Sequence, residues 1–282
     1  MIKHEKKPTK ILLSQRHAIF YFISVWEKRV RRRITWSLDK KKYTCTTKTH
    51  PLEYRVKKHQ SRLLKKLGNT EMWMQHNKIE NLKIAISKIN GVIIKPGETF
   101  SFYRNVGRPT KRKGYKMGME LSNGKPQPGI GGGICQIANL LHWLSLHSPL
   151  TINERHHHSI DPFPDDGRVL PWASGAAVFY NYIDFQLTNL TENEYQINLW
   201  LSDKCLEGEI RSNKNPVKTY HIFEKEHAFI KDGNNYYRTN EIWRESIDKT
   251  SGNKIGVEMI SKNLGKVMYV PKSYVSAKTF QS

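Results

Sequence analysis

The spacing of apolar residues predicts two long helices in the first half of the chain. Between 70 and 89, apolar side chains recur at intervals of three and four residues, which is the period of a helix packed on a core. The same period between 134 and 146 predicts a second helix, which ends before Pro149 because the residue before proline avoids the α region. The segment 53–67, with Leu63, Leu64 and Leu67, is also interpreted as helical.

The second half of the chain changes to a period of two, which predicts strands at 177–187 and 195–201. Shorter strands are expected earlier, at 92–94 and 99–103, and Asn123-Gly124 is a strong hairpin signal. Helices followed by a mainly antiparallel sheet predict an α+β fold, with a glycine-rich loop leading into the cysteine-bearing second helix. Further short strands are predicted around 206–211, 217–224, 227–231 and 266–271.

Charge divides the chain into two parts. Residues 1 to 70 hold 20 Lys and Arg against four Asp and Glu, whereas the whole chain has a net charge of +22. We therefore expect a basic arm with a short helix at 1–47, followed by one folded domain at 48–275. A cationic arm favours anionic partners, above all a membrane surface, although it could equally be a solvated extension. No specific nucleic acid is expected.

The N-terminal region also bears on location. No segment approaches the roughly 18 consecutive apolar residues that a spanning helix needs. The aromatic patch at 17–26 lies between two basic runs and is not followed by a small-residue cleavage site, so a removed signal peptide is not predicted. We expect a cytoplasmic protein held at the inner membrane surface by anionic lipid.

The most informative stretch for chemistry is a run of three glycines that ends at a cysteine. Gly131, Gly132 and Gly133 are followed by Ile134, Cys135 and Gln136. Such a run suits a backbone with positive φ or a closely approaching ligand. The start of a helix stabilises a thiolate, and its free N–H groups, with those of the glycines and the Gln136 amide, could hold an oxyanion. The alternative is a buried, inert cysteine in a tight turn. The three cysteines form no CxxC pair and no disulfide framework, so a reduced thiol is expected.

A histidine run lies about twenty residues downstream of the cysteine. Along an extended segment His156 and His158 share one side, so they are the candidate base and its neighbour, supported by Arg155 and Ser159. Asp184 could orient a histidine, although a plain surface or turn-proximal carboxylate is the favoured interpretation. A metal site is the rival hypothesis, with further oxygen ligands from Asp161, Asp165 and Asp166.

Several segments resemble the VanW-like family in the same order and spacing. They are 75–82, 89–102, 107–115, the GGGICQ motif at 131–136, the ERHHHS motif at 154–159, 180–185 and 206–211, and the resemblance covers roughly residues 50 to 270. It implies a link to glycopeptide resistance and to cell-wall metabolism, and it matches the family's cysteine to Cys135 and its paired histidines to His156 and His158. In longer relatives the domain is implicated in L,D-transpeptidation, which cross-links peptidoglycan through a cysteine thioester.

The leading hypothesis is therefore a cysteine-dependent acyl transferase, similar to an L,D-transpeptidase, that needs no cofactor and no metal. Its expected substrates are peptidoglycan peptides or lipid-linked precursors. Cys135 would attack a carbonyl, and His158 or His156 would accept the thiol proton. Two alternatives remain open: a non-catalytic module that binds wall precursors, and a histidine-rich metal-binding protein.

Overall fold

The computed structural model describes residues 18–65, 71–122, 125–157, 160–165, 168–180 and 182–276. Helices dominate the first half of this region and antiparallel strands dominate the second, so the predicted α+β class is confirmed. Both long helices predicted from apolar spacing are present. The helices of the described residues are α1 (Ala18–Leu38), α2 (Met72–Ile89), α3 (Phe102–Val106) and α4 (Cys135–Leu146), with one short 3-10 turn at Lys111–Lys113.

The strands fall into three larger sheets and one hairpin. The first sheet has the order β1-β4-β9-β7, the second β2-β11-β10-β3, and the third β15-β12-β13-β14-β8, while β5 and β6 form the hairpin. The strands are β1 (Lys42–Tyr43), β2 (Tyr54–Arg62), β3 (Val92–Ile94), β4 (Glu98–Ser101), β5 (Met117–Ser122), β6 (Lys125–Ile130), β7 (Thr151–Glu154), β8 (Ile160–Asp161), β9 (Gln186–Thr188), β10 (Tyr195–Leu201), β11 (Cys205–Ser212), β12 (Lys218–Asp232), β13 (Asn235–Asp248), β14 (Lys254–Val267) and β15 (Val275–Ser276).

The main core lies between α2, α4 and the first two sheets. Leu82 and Ile89 of α2 are fully buried, and so are Ile137, Leu141 and Leu144 on one face of α4. Burying such side chains stabilises the fold by about 1.5–3 kcal/mol each. A second cluster joins the other side of α4 to the third sheet through Trp143, Leu146, Ile222 and Ile242. Helix α4 is thus held on both sides, and its first residue is Cys135.

The helix predicted at 53–67 is wrong. Residues Tyr54–Arg62 form strand β2, which pairs antiparallel with β11 from Tyr54 opposite Ser212 to Arg62 opposite Cys205. Leucine spacing suggested a helix, but Leu63 is buried and Leu64 is exposed, while Leu67 lies outside the described residues. Over most of β2, partly buried and exposed residues alternate with a period of two. This is the period of a strand and not of a helix.

The predicted strand at 177–187 is largely replaced by turns. Regular pairing begins only at Gln186 in β9, and an isolated bridge joins Phe179 to Ile183. Phe185 is fully buried, whereas Ile183 is only partly buried. By contrast, β10 has the predicted bounds, and β5 and β6 form the predicted hairpin, although its turn at 123–124 lies outside the described residues.

The third sheet is much larger than the short strands predicted for the C-terminal region. Strands β12, β13 and β14 form a meander of 14- and 15-residue strands. The two strands predicted at 217–224 and 227–231 are one strand, interrupted by a bulge between Lys225 and Ala228 where Glu226 has φ +50°. A bulge shifts the alternation of inward- and outward-facing side chains by one residue. The sequence of a single bulged strand therefore has the pattern of two separate strands.

The N-terminal residues of the described region contact the rest of the protein. Lys42 and Tyr43 add a parallel strand to β4. In α1, both terminal nitrogens of the Arg32 guanidinium bind the Glu154 carboxylate, at 2.7 and 2.6 Å. Among the described residues, no helix is long and apolar enough to cross a membrane.

A candidate cysteine site at a glycine turn

The glycine run forms the turn that delivers the chain into α4. Gly131 and Gly133 have φ of +79° and +90°, which glycine adopts without steric cost. A Cβ on Gly133 would lie 2.2 Å from Cγ of Lys78, and one on Gly132 would lie 2.2 Å from the backbone of Gly118. The glycines are therefore required by close packing of the turn against α2 and β5.

A buried asparagine on α2 fixes the position of this turn. The Asn81 side-chain amide donates to the carbonyl oxygens of Gly132 (2.9 Å) and Lys116 (3.1 Å). Its carbonyl oxygen accepts the Lys116 backbone N–H at 2.7 Å. Asn81 has no solvent exposure, so these bonds form away from competing water and hold the turn and strand β5 together.

The partly exposed residue Cys135 faces the buried Lys78 on α2. Burial of the sulfur raises the pKa of the Cys135 thiol, and this outweighs the lowering by the Cys135 and Gln136 backbone N–H groups and by Lys78. Burial likewise lowers the pKa of Lys78 to about 8. The Lys78 ammonium donates to the Leu63 carbonyl oxygen (2.5 Å) and to the Gln75 side chain (2.7 Å). Desolvation thus favours a neutral thiol beside a lysine that loses its proton unusually easily.

Most of the N–H groups expected to hold an oxyanion are already engaged. The Gly131 and Gly132 amides donate to the carbonyl oxygens of Lys116 and Gly129, both at 3.0 Å. The Gln136 side chain donates to Ser61 Oγ (2.8 Å) and to the Arg62 carbonyl oxygen (2.9 Å) of β2. In this structure these groups hold the turn and the start of α4 in place.

Two buried tyrosines line the same region. Tyr103 interacts electrostatically with Cys135 and with Tyr115, and burial raises its pKa well above its ordinary value. The Tyr115 hydroxyl is buried and has no hydrogen-bond partner among the described residues. Burial raises the pKa of Tyr115 to about 12, so this hydroxyl keeps its proton and remains a donor. The Tyr115 ring also lies beside Gly131 of the turn.

The histidine run lies in a different environment, centred on Glu154. His156 is half-exposed, and its Nε2 lies 3.2 Å from a Glu154 carboxylate oxygen. Burial alone raises the pKa of Glu154, but hydrogen bonds from His156 and Arg32 bring it down to about 2. His157 is partly buried, and desolvation lowers its pKa. His158 and Ser159 lie outside the described residues. The charged groups that act on the Cys135 thiol are Lys78 and Glu120, and neither is a histidine.

Arg155 and Asp184 both have structural contacts. The Arg155 guanidinium donates to the carbonyl oxygens of Gly175 (3.1 Å) and Ala173. The favoured interpretation of Asp184 is a surface or turn-proximal carboxylate. The surface position is wrong, because Asp184 is 1% exposed, whereas it does directly follow the turn closed by the Phe179–Ile183 bridge. Its carboxylate accepts bonds from Ser101 Oγ (2.5 Å) and the Tyr103 backbone N–H (3.0 Å) at the start of α3, and none from a described histidine.

The described residues contain no cluster of three or more potential metal ligands. Asp161 and Asp165, the oxygen ligands considered for a histidine-based metal site, pair with the buried guanidinium of Arg238 at 3.3 and 2.6 Å. Asp166 lies outside the described residues. These two ion pairs connect β8 and the loop that follows it to Arg238 of β13.

Three polar residues of the site were missed in the sequence: Lys78, Asn81 and Glu154. Lys78 and Asn81 lie three residues apart on α2, on the face that also carries Leu82 and Ala85. Polar residues within a predicted apolar face are the signal that could have found them, because a buried polar group needs a partner. Glu154 is the first residue of the ERHHHS motif and directly precedes Arg155 and the histidine run.

The fold and the site together define an α+β protein organised around a glycine turn and a cysteine at a helix start. The family model described as "VanW like protein" matches residues 77–211. The vancomycin B-type resistance protein VanW of Enterococcus faecalis (strain ATCC 700802 / V583) is 35% identical over 204 residues, which cover 72% of this chain and 74% of that protein. The chain therefore belongs to the VanW-like family.

A second relative shares a shorter region. The uncharacterized protein YoaR of Bacillus subtilis (strain 168) is 33% identical over 110 residues, which cover 39% of this chain and 34% of YoaR. No solved structure matches the chain. The residues matched by the family model include α2 from residue 77 onwards, the glycine turn, α4 and Glu154, so they contain both groups of candidate site residues.

Proposed function

We propose that this protein is a cysteine-dependent acyl transferase that acts on peptidoglycan peptides or lipid-linked wall precursors and contributes to glycopeptide resistance. The observation that carries the proposal is the pair of Cys135 and Lys78. Cys135 is the first residue of α4 and directly follows the tightly held turn. The pKa of the Lys78 ammonium beside its thiol is lowered to about 8 by burial. A nucleophile next to a base with a pKa near neutrality is the arrangement that covalent acyl transfer requires.

In the first step the neutral Lys78 amine accepts the thiol proton while the Cys135 sulfur bonds to the carbonyl carbon of a donor peptide. The carbonyl π electrons move to oxygen and form a tetrahedral oxyanion. When this collapses, the C–N bond breaks and the Lys78 ammonium returns its proton to the leaving amine, which leaves a thioester on Cys135. A second amine then attacks the thioester, and the thiol is regenerated with its proton.

The oxyanion needs donors that the resting protein does not already use. The Tyr115 hydroxyl is a protonated, buried donor without a partner among the described residues. The Cys135 backbone N–H also acts on the sulfur and is a second donor, whereas the Gln136 backbone N–H already donates to the Gly133 carbonyl oxygen at 3.1 Å. We assign the oxyanion to the Tyr115 hydroxyl and the Cys135 backbone N–H. His156 and His158 remain the alternative base predicted from the sequence.

The substrate class is supported by the relatives. One of them is named as a vancomycin B-type resistance protein, and the resemblance to the VanW-like family implies a link to cell-wall metabolism. A thioester mechanism on peptidoglycan peptides also fits a site in which close backbone packing of the glycine turn positions Cys135.

The test is to incubate the full chain with a synthetic wall stem peptide and to measure the intact mass. A covalent adduct of the acyl fragment should appear on Cys135 and should be absent from Cys135→Ala. The control Cys45→Ala removes an exposed cysteine and should leave the adduct unchanged. No adduct from peptides with either free or amidated termini, together with no cross-linked product, would count against acyl transfer.

One observation favours the non-catalytic alternative, a module that binds wall precursors. Burial raises the pKa of the Cys135 thiol, and a thiol with a raised pKa is less reactive. The two functions differ in the rate of alkylation. A catalytic Cys135 should react with iodoacetamide at least as fast as the exposed Cys45 of the same chain when a stem peptide analogue is absent. A binding module should protect Cys135 throughout while it still retains the peptide.

A further inference from the structure

Helix α1 has one face that is fixed to the rest of the protein. Arg32 binds Glu154 through two hydrogen bonds and also donates to the Tyr182 carbonyl oxygen at 2.8 Å. Lys28 and Arg29, one turn earlier, lie over the rings of Tyr182 and Tyr180 at 4.7 and 5.7 Å from the ring centroids. These contacts fix the rotation of α1 about its own axis.

The opposite face of α1 is an apolar stripe that we define as Ile19, Phe22, Ile23, Trp26 and Ile34. At about 100° per residue, these side chains fall on one side of the helix, away from Lys28 and Arg32, while Arg29 lies at the edge of the stripe next to Phe22. Their exposed fractions are 72, 69, 53, 61 and 53%, so the stripe faces outward. Large aromatic side chains grouped on one exposed surface mark an interaction site.

Basic side chains flank the stripe. Helix α1 contains five Lys and Arg and one acidic residue, Glu27. Arg31 is exposed beside the stripe and Arg33 is exposed at its C-terminal end, next to Ile34, whereas Arg32 is neutralised by Glu154. An apolar face with exposed arginines at its side and its end is the pattern of a helix that lies in the plane of a membrane interface.

We propose that the α1 stripe docks onto an anionic phospholipid bilayer. The aromatic side chains would enter the boundary between headgroups and acyl chains, while Arg31 and Arg33 meet the lipid phosphates. Because its other face is fixed to the domain through Arg32, Lys28 and Arg29, α1 would lie along the surface of the bilayer. The Arg32–Glu154 pair then transmits this orientation to the rest of the domain. This inference does not depend on the chemistry proposed for Cys135.

Charge favours a bilayer over a second copy of the chain as the occupant. Two copies meeting through α1 would bring together two basic helices on proteins that each carry a net charge of +22. Like charges at that distance repel, whereas anionic lipid attracts each basic residue near its surface by about 1 kcal/mol. The same groups that oppose self-association therefore promote binding to lipid.

The experiment is co-sedimentation of the full chain with vesicles of phosphatidylglycerol and phosphatidylcholine, or of phosphatidylcholine alone. We expect binding to the anionic vesicles only, and release at about 1 M salt because the attraction is screened. The double variant Phe22→Gln/Trp26→Gln should lower the partition coefficient by about tenfold or more, since it removes the inserted side chains. Arg31→Gln/Arg33→Gln should lower it by on the order of tenfold.

Matched controls use residues of the same type far from α1. Val257→Gln/Met259→Gln removes two exposed apolar side chains from β14, and Lys111→Gln/Arg112→Gln removes two exposed charges from the 3-10 turn. Both controls should bind like the unsubstituted protein. All the substituted side chains are exposed, so circular dichroism should show an unchanged fold.

Three results would overturn the proposal. They are absence of binding to anionic vesicles by the unsubstituted protein, equal losses in the stripe variant and its β14 control, and a dimer that the stripe variant converts to a monomer in lipid-free solution. The last result would assign the stripe to a second copy of the chain.

Discussion

The cysteine region and the histidine region of this protein are held in place by different forces. At Cys135, glycine backbone touches glycine backbone, and the buried Asn81 holds the turn against β5. At His156, the main contact is with the carboxylate of Glu154, the last residue of β7. The same carboxylate also forms an ion pair with Arg32. The first region depends on packing and the second on ionisation. A steric change should therefore damage the cysteine region, while a change of pH should damage the histidine region.

The largest effect is expected at the glycine turn. In Gly133→Ala the added Cβ would lie 2.2 Å from Lys78 Cγ on a backbone with φ +90°, so both overpacking and backbone strain oppose it. We expect a loss of about 3 kcal/mol in the free energy of unfolding, measured by urea denaturation. The control Gly97→Ala has a similar φ of +75° but no atom within 4 Å. It should lose only about 1 kcal/mol. Equal losses would mean that packing against Lys78 is unimportant.

The second prediction concerns acid stability through Glu154. Its pKa of about 2 in the folded protein lies below the ordinary value of 4.5, so the ionised form is stabilised by folding. This contribution is fully present above about pH 4.5 and is lost as the pH falls towards 2. Allowing for partial solvent screening, it amounts to roughly 2 kcal/mol.

Glu154→Gln should remove that pH dependence. The variant should be less stable than the unsubstituted protein at pH 7, and the difference should shrink as the pH approaches 2, in urea denaturation series at fixed ionic strength. A difference that is constant from pH 7 to pH 2 would show that Glu154 acts through packing alone. Glu194→Gln is the control, since Glu194 also pairs with a basic side chain, that of Lys48, but at a more exposed site.

The third prediction separates the two candidate bases. Lys78→Met removes the cation that lowers the pKa of the Cys135 thiol, so alkylation of Cys135 by iodoacetamide at pH 8 should slow by on the order of tenfold. Peptide mass spectrometry would follow Cys135 and, as the internal reference, Cys45. Rates at Cys45 should not change. A slower rate in His156→Gln and not in Lys78→Met would return the role of base to the histidine run.

The smallest effect is expected at His156 itself. Its side chain is 46% exposed and makes one hydrogen bond, to a carboxylate that also binds Arg32. His156→Gln should change the free energy of unfolding at pH 7 by no more than about 0.5 kcal/mol in urea denaturation. A loss above about 2 kcal/mol would place His156 among the residues that hold β7, and the contrast between the two regions would fail.

Regular elements with a clear period could be predicted from the sequence. Helix α2 and helix α4 follow from apolar spacing, and β10 follows from alternation, because in each case one face meets the core. Strand β2 could not be distinguished from a helix by its leucines. Its structure is decided by pairing with β11, about 150 residues later, and local spacing contains no record of that partner.

The candidate site was only partly predictable for the same physical reason. The glycine run and Cys135 stand together in the sequence, so their turn-to-helix arrangement could be inferred locally. Lys78, Asn81 and Tyr115 reach the turn from α2 and from the chain before β5, so their contribution exists only after folding. Asp184 was expected at the surface or beside a turn because a carboxylate is usually solvated, whereas here Ser101 and the start of α3 supply the partners that allow its burial.

The contact between Gly118 and Gly132 has a consequence for how this protein can diversify. Because the two backbones meet with no side chain between them, a single methyl group at either position would separate β5 from the turn. A larger residue at one position cannot be compensated by a smaller residue at the other, since glycine is already the smallest residue. A saturation library of the chain should therefore find these two positions intolerant both singly and together. The neighbouring exposed residues Lys111 and Arg112 should accept most replacements.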